Sequence, residues 1–142
     1  MLIGTILRDK GSDVTTVAPG ATVRELLAQL ADRNIGAVVV SDDGVTIAGI
    51  VSERDVVRRL HDQGAQILDA EVSSIMTRDV RTVGPGANVE ELRRTMTDHR
   101  FRHMPVVEDG RLVGIVSIGD VVKSAIEELE TEKASLVDYL HR

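Results

Sequence analysis

The sequence predicts an α/β (α+β) fold: two β-α-β-β-α repeats related by pseudo-two-fold symmetry, followed by an extended C-terminal helix. Three observations predict it. Residues 14–26, VTTVAPGATVREL, and residues 80–92, VRTVGPGANVEEL, are identical at nine of thirteen positions and lie 66 residues apart. The likeness continues without a gap through 26–44 and 92–110, and AGIVSERDVV at 48–57 then matches VGIVSIGDVV at 113–122 at an offset of 65. Within each copy the hydrophobic period changes in the same order, from extended to helical, back to extended and again to helical. Two copies are too few for a solenoid, so each is expected to cover the other's apolar face.

The elements follow from local chemistry. Val14–Val17 and Val80–Val83 read as short extended stretches that end at Pro-Gly, a turn signal. Thr22 and Asn88 are placed to cap helices whose apolar residues recur at helical spacing: Val23, Leu26, Leu27 and Leu30 in one copy, Val89, Leu92 and Met96 in the other. AVVVSDDGVTIAGIV and MPVVEDGRLVGIV each read as a hairpin, with Asp43-Gly44 and Asp109-Gly110 as turn dipeptides. A last helix begins at Ser52 or Ser117. The expected divisions are a first repeat at 5–64, a connector with a short helix at 65–77, a second repeat at 78–125 and a helical extension at 126–142.

Composition narrows the function. The 142-residue chain (15.4 kDa) is 42% hydrophobic with only Phe101 and Tyr139 as aromatics, so its core is aliphatic. With no cysteine, disulfides and thiolate metal sites are excluded. No apolar run approaches the ~20 residues that span a bilayer. MLIGTILRDKGSD lacks the pattern of a signal peptide, which makes the cytoplasm the expected compartment. A net charge of −6 argues against non-specific nucleic-acid binding. No nucleophile–base–orienter set, Walker A sequence or metal cluster is evident, so an enzyme is not expected.

The chemistry concentrates where the last strand of each copy enters the last helix, Gly49-Ile50-Val51-Ser52-Glu53-Arg54-Asp55 and Gly114-Ile115-Val116-Ser117-Ile118-Gly119-Asp120. Ser-x-x-Asp is close to a capping box, although the reach-back favours Glu or Gln. A short carboxylate in the first helical turn also suits a diol such as a ribose, and the N–H groups at the helix start suit a phosphate. The two roles are compatible.

The doubled strand–helix–strand–strand–helix order, the Met104-Pro105-Val106 strand and G-h-h-S-x-x-D in both copies resemble a tandem pair of CBS domains, or Bateman module. The likeness covers roughly residues 5–125, and MTDHRFRHMPVVEDGRLVGIVSIGDVV resembles small stand-alone bacterial proteins of this kind. The resemblance implies a non-catalytic regulatory module that binds adenosine-containing ligands (AMP, ADP, ATP, NAD(H) or S-adenosylmethionine) in clefts between the repeats. It implies that Asp55 and Asp120 hold the ribose, with Ser52 and Ser117 nearby. Each site is expected to borrow the opening strand of the other copy: Thr82 and Ala87 for the Asp55 site, Thr16 and Ala21 for the Asp120 site. Apolar side chains would enclose the adenine, Val38, Ile50 and Val51 in one site and Met104, Ile115 and Val116 in the other. Where the second copy has His103-Met104-Pro105 the first has Ala37-Val38-Val39, without the proline and the basic residue.

Arg102, His103 and Gly119 are assigned to the Asp120 cleft and Arg54 to the Asp55 cleft, which makes the Asp120 cleft the tighter one in expectation. His99 and His103 are four apart but fall at a helix end and a strand start, which does not make a metal pair. Val122, Ile126, Leu129, Leu136 and Leu140 form a stripe interrupted by Lys133, read as a homodimer contact. A sensor that modulates a protein partner is the preferred function; a ligand-free structural adaptor or dimerisation module is the rival.

Overall fold

A computed structural model describes residues 1–11 and 13–141 of the chain. Ser12 and Arg142, which fall in the expected first repeat and C-terminal extension, lie outside the described residues. The first copy comprises β1 (Thr16–Val17), α2 (Val23–Arg33), β2 (Ala37–Val40), β3 (Gly49–Ser52) and α3 (Glu53–Gln63). Before it stands α1 (Ile3–Lys10), a helix that the sequence reading did not anticipate. Two 3₁₀ turns, Ala65–Asp69 and Val72–Ser74, form the connector. The second copy holds α4 (Val89–His99), β4 (His103–Glu108), β5 (Arg111–Ser117) and α5 (Ile118–Leu140).

The caps are where the sequence puts them. Thr22 accepts from Glu25 N–H while Glu25 reaches back to Thr22 N–H, and Asn88 accepts from Glu90 N–H. In the first sheet β1 runs parallel to β2, and β2 antiparallel to β3 with Val38 opposite Val51. In the second, β4 and β5 pair antiparallel, with Met104 opposite Val116. The expected strand at Val80–Val83 contracts to a single parallel bridge between Val83 and Val106.

The two hairpins differ. Asp109 (φ 52°) and Gly110 (φ 76°) make a two-residue turn in the left-handed conformation that matches strand twist. Asp43-Gly44 does not close a tight turn, because β2 stops at Val40 and β3 starts at Gly49. The intervening loop is instead organised by the Asp43 carboxylate. It accepts from the N–H groups of Val45 (2.8 Å) and Thr46 (2.7 Å) and from the hydroxyls of Ser41 and Thr46. Those backbone donors, Thr46 first, hold the Asp43 carboxyl at about 2 against an ordinary 3.8.

Two apolar cores form, and each takes a segment from outside its own repeat. Val72 and Ile75 of the connector join Val17, Val23, Leu26, Val38, Val51 and Val56 in the first core. Ile3, Ile6 and Leu7 of α1 join Val89, Leu92, Met96, Met104, Val106 and Val116 in the second. The backbone repeats the exchange. Val72 and Ser73 N–H donate to Ala21 and Pro19 carbonyls, while Ile3 and Gly4 N–H donate to Ala87 and Pro85. Residues 1–10 are thus the counterpart of residues 70–79.

This docking explains the glycine that opens both G-h-h-S-x-x-D runs. A Cβ at Gly49 would stand 2.7 Å from both Met76 Sδ and Thr77 O, and one at Gly114 would stand 2.5 Å from Leu7 Cδ2.

Candidate functional site

At the junction of β3 and α3, Ser52 adopts extended backbone and its hydroxyl accepts from Asp55 N–H (3.3 Å). Asp55 reaches back with Oδ2 to Ser52 N–H (2.8 Å) and Ser52 Oγ (3.0 Å). Ser117 and Asp120 repeat the arrangement, with Ser117 N–H donating to Asp120 Oδ2 at 2.9 Å. Asp therefore completes the capping box despite its shorter side chain. No hydrogen bond from a described residue reaches Asp55 Oδ1, which is left for another partner.

Beside Asp55 lies a cavity of about 570 Å³, a size suited to a small organic ligand. Its wall comes from three stretches. The first copy supplies Gly36, Ala37, Ile50, Ser52, Glu53, Arg54, Asp55, Val57 and Arg58; the connector supplies Thr77; the second copy supplies Asp79–Arg81 from its opening segment and residues 100–105. Of the residues singled out in the sequence, Ala37, Ile50, Ser52, Arg54, Asp55, Arg102, His103 and Met104 come together here.

The grouping differs from the expected one. Arg102, His103 and Met104 line the Asp55 cavity, because the start of β4 faces β3 and α3 across the repeat interface. Gly119 is exposed in the first turn of α5. Thr82 and Ala87 are not among the lining residues; Thr82 is exposed, and Ala87 packs on the second core while its carbonyl accepts from Ile3. Thr16 pairs with Val39, and the Ala21 carbonyl accepts from Val72. Strand pairing decides the adenine candidates: Val38 lies opposite Val51 and Met104 opposite Val116, all four buried in the cores, whereas Ile50 is half-buried and lines the cavity.

The cavity is cationic. Five arginines (Arg54, Arg58, Arg81, Arg100 and Arg102) face three acids (Glu53, Asp55 and Asp79). Burial, reinforced by the Lys10 charge, pushes His103 below its ordinary 6.5 despite Asp120 and Glu53, so it presents a neutral imidazole at neutral pH. Arg81 lies 5.9 Å from the Phe101 ring centroid and 3.2 Å from His99 Nε2, and His99 stacks on Phe101 at 5.4 Å. Arg58, Arg81, Arg100 and Asp79 carry no signal in the sequence, since each is an unremarkable polar residue in its own segment.

The second carboxylate has a different neighbour. Lys10 Nζ donates to Asp120 Oδ2 and to the Ile115 carbonyl, both at 2.7 Å. Burial raises the Asp120 pKa, but the Lys10 ammonium and Ser117 N–H outweigh it and hold the carboxyl below 3.8. Lys10 carries no signal in the sequence: at the offset of 69 that aligns α1 with residues 70–79, its counterpart is Asp79.

The CBS domain matches residues 5–62 and 72–127. The chain belongs to the CBS-domain family. A CBS-domain protein of Agrobacterium tumefaciens, ATU1752, has a crystal structure that superposes with a TM-score of 0.85 at 43% identity, covering 88% of this chain and 99% of that one. The mitochondrial CBS-domain protein CBSX3 of Arabidopsis thaliana is 37% identical over 84% of this chain, which spans 60% of that relative's length. The CBS pair of protein MJ0100, solved in complex with 5′-methylthioadenosine and S-adenosyl-L-methionine, superposes with a TM-score of 0.77 at 25% identity over 87% of this chain and 98% of that one. The CBS pair is a non-catalytic module. Among its described residues, no helix of this CBS pair is long and apolar enough to cross a membrane.

Proposed function

We propose that this CBS pair is a regulatory sensor that binds an adenosine nucleotide in the Asp55 cavity and passes its occupancy to a protein partner. The observation that carries the reading is the convergence of Asp55, at a helix N-terminus, with Arg102 from the other repeat across one cavity. A carboxylate with a spare oxygen suits a ribose diol, Ile50 and Val57 offer apolar surface for a base, and the arginines suit phosphate. The adenosyl ligands of the MJ0100 complex support the base and ribose part of this reading. The excess of arginine over acid favours a phosphorylated nucleotide over the cationic S-adenosylmethionine.

Melting in the presence of AMP, ADP, ATP, NAD(H) and S-adenosylmethionine tests it. A ligand at ~100 times its Kd adds about 2.7 kcal/mol of stability, enough to raise Tm by several degrees. Asp55→Asn, which keeps an acceptor for the cap, and Arg102→Ala are each expected to weaken binding at least tenfold, since a charge-assisted contact is worth roughly 1.5–3 kcal/mol. A melt unmoved by every adenosine compound at millimolar concentration refutes the sensor and leaves the structural adaptor.

A homodimer belongs to the same proposal. Val122, Ile126, Leu129, Leu136 and Leu140 are 49–70% exposed along α5, an apolar stripe that a second copy would cover. Light scattering at micromolar concentration is expected to give close to twice 15.4 kDa.

A further inference from the structure

On the nucleotide reading of the Asp55 cavity, on which this rests, we propose that Lys10 is a built-in plug for the other half, so that the chain carries one open nucleotide cavity rather than two. Ile115 and Asp120 are the counterparts of Ile50 and Asp55, two residues that line the open cavity. The gap between the pair is therefore where a ligand would sit if the halves were alike. In the second half the Lys10 ammonium spans that gap, bonded at 2.7 Å to the Ile115 carbonyl on one side and to Asp120 Oδ2 on the other.

The asymmetry has a source in the chain. In the first half Thr77 pairs with Ile50 through backbone in both directions, each bond 2.9 Å, and Asp79–Arg81 then run along the cavity wall. The equivalent stretch of the second half stays helical through Lys10, and Gly11 ends the helix at φ 96° with its N–H on the Leu7 carbonyl. Three residues, Gly11-Ser12-Asp13, stand between Lys10 and Val14 where the other copy passes directly from Asp79 to Val80. A side chain thus replaces a backbone bridge, and it is a flexible one that a ligand or a substitution can displace. Lys10 and Asp120 are 36% and 22% exposed, so the pair closes the gap without being locked inside.

Titration calorimetry with AMP on the wild-type chain and on Lys10→Ala reads the number of sites. The expected result is one site per chain for wild type and two for Lys10→Ala. Two sites in the wild type, or one in the variant, would overturn the plug. A second measurement needs no ligand: carbon-detected NMR of the Asp120 carboxyl is expected to show its titration midpoint rising in Lys10→Ala, and an unchanged midpoint also overturns the plug. If neither protein binds AMP, the nucleotide reading fails, and the Asp120 titration alone then decides whether Lys10 holds that carboxylate.

Discussion

The two halves of the molecule share a sequence pattern, a capping box and a core plan, yet one offers a cavity and the other a salt bridge. In the first half the segment that docks on the last strand crosses it as backbone and opens a wall of charged residues around Asp55. In the second half the equivalent segment is a helix, which buries Ile3, Ile6 and Leu7 and sends Lys10 to Asp120. A duplicated motif therefore does not ensure duplicated function. What each Asp can bind is decided by the segment that arrives beside it, and that segment lies outside the motif.

The sharpest way to break this comparison is to attack the crossed docking itself. Ile3 is fully buried in the second core although it precedes the first repeat. Ile3→Ala is expected to cost about 2–5 kcal/mol, as a large-to-small change does where the site cannot collapse. Hydrogen exchange should locate the loss in α4, β4 and β5 rather than in β2 and β3. Faster exchange confined to the first sheet would show that α1 belongs to its own repeat after all.

The docking glycines offer a smaller and more discriminating effect. At Gly49 an added methyl meets the Thr77 carbonyl and Met76, whereas at Gly114 it meets the end of a flexible leucine. Gly49→Ala is therefore expected to cost about 1–3 kcal/mol and Gly114→Ala distinctly less, measured by denaturant unfolding. Equal losses would mean that Leu7 is held as rigidly as backbone.

The smallest effect concerns the unequal hairpins. The folded state holds Asp43 at about 2, below its ordinary 3.8, so its ionised form favours folding. That contribution is present above about pH 4 and fades as pH falls toward 2. Asp43→Ala is expected to melt below wild type at pH 7, with the gap closing between pH 4 and pH 2. A gap that stays constant with pH would mean that the loop is ordered by something other than the carboxylate.

The sequence by itself determined the duplication, the helix starts at Thr22, Asn88, Ser52 and Ser117, and the tight turn at Asp109-Gly110. These are relations between residues three or four apart, or copies of one pattern, and spacing along the chain encodes them directly. It also identified Asp55 and Arg102 as residues of interest, while assigning them to different clefts. Only the tertiary structure decided that β4 brings Arg102 to Asp55, that α1 completes the second core, and that Lys10 meets Asp120 across a separation of 110 residues. The physical reason is that such pairings follow from how two apolar surfaces bury each other. That burial is non-directional, scales with area and leaves no periodic trace in either segment alone.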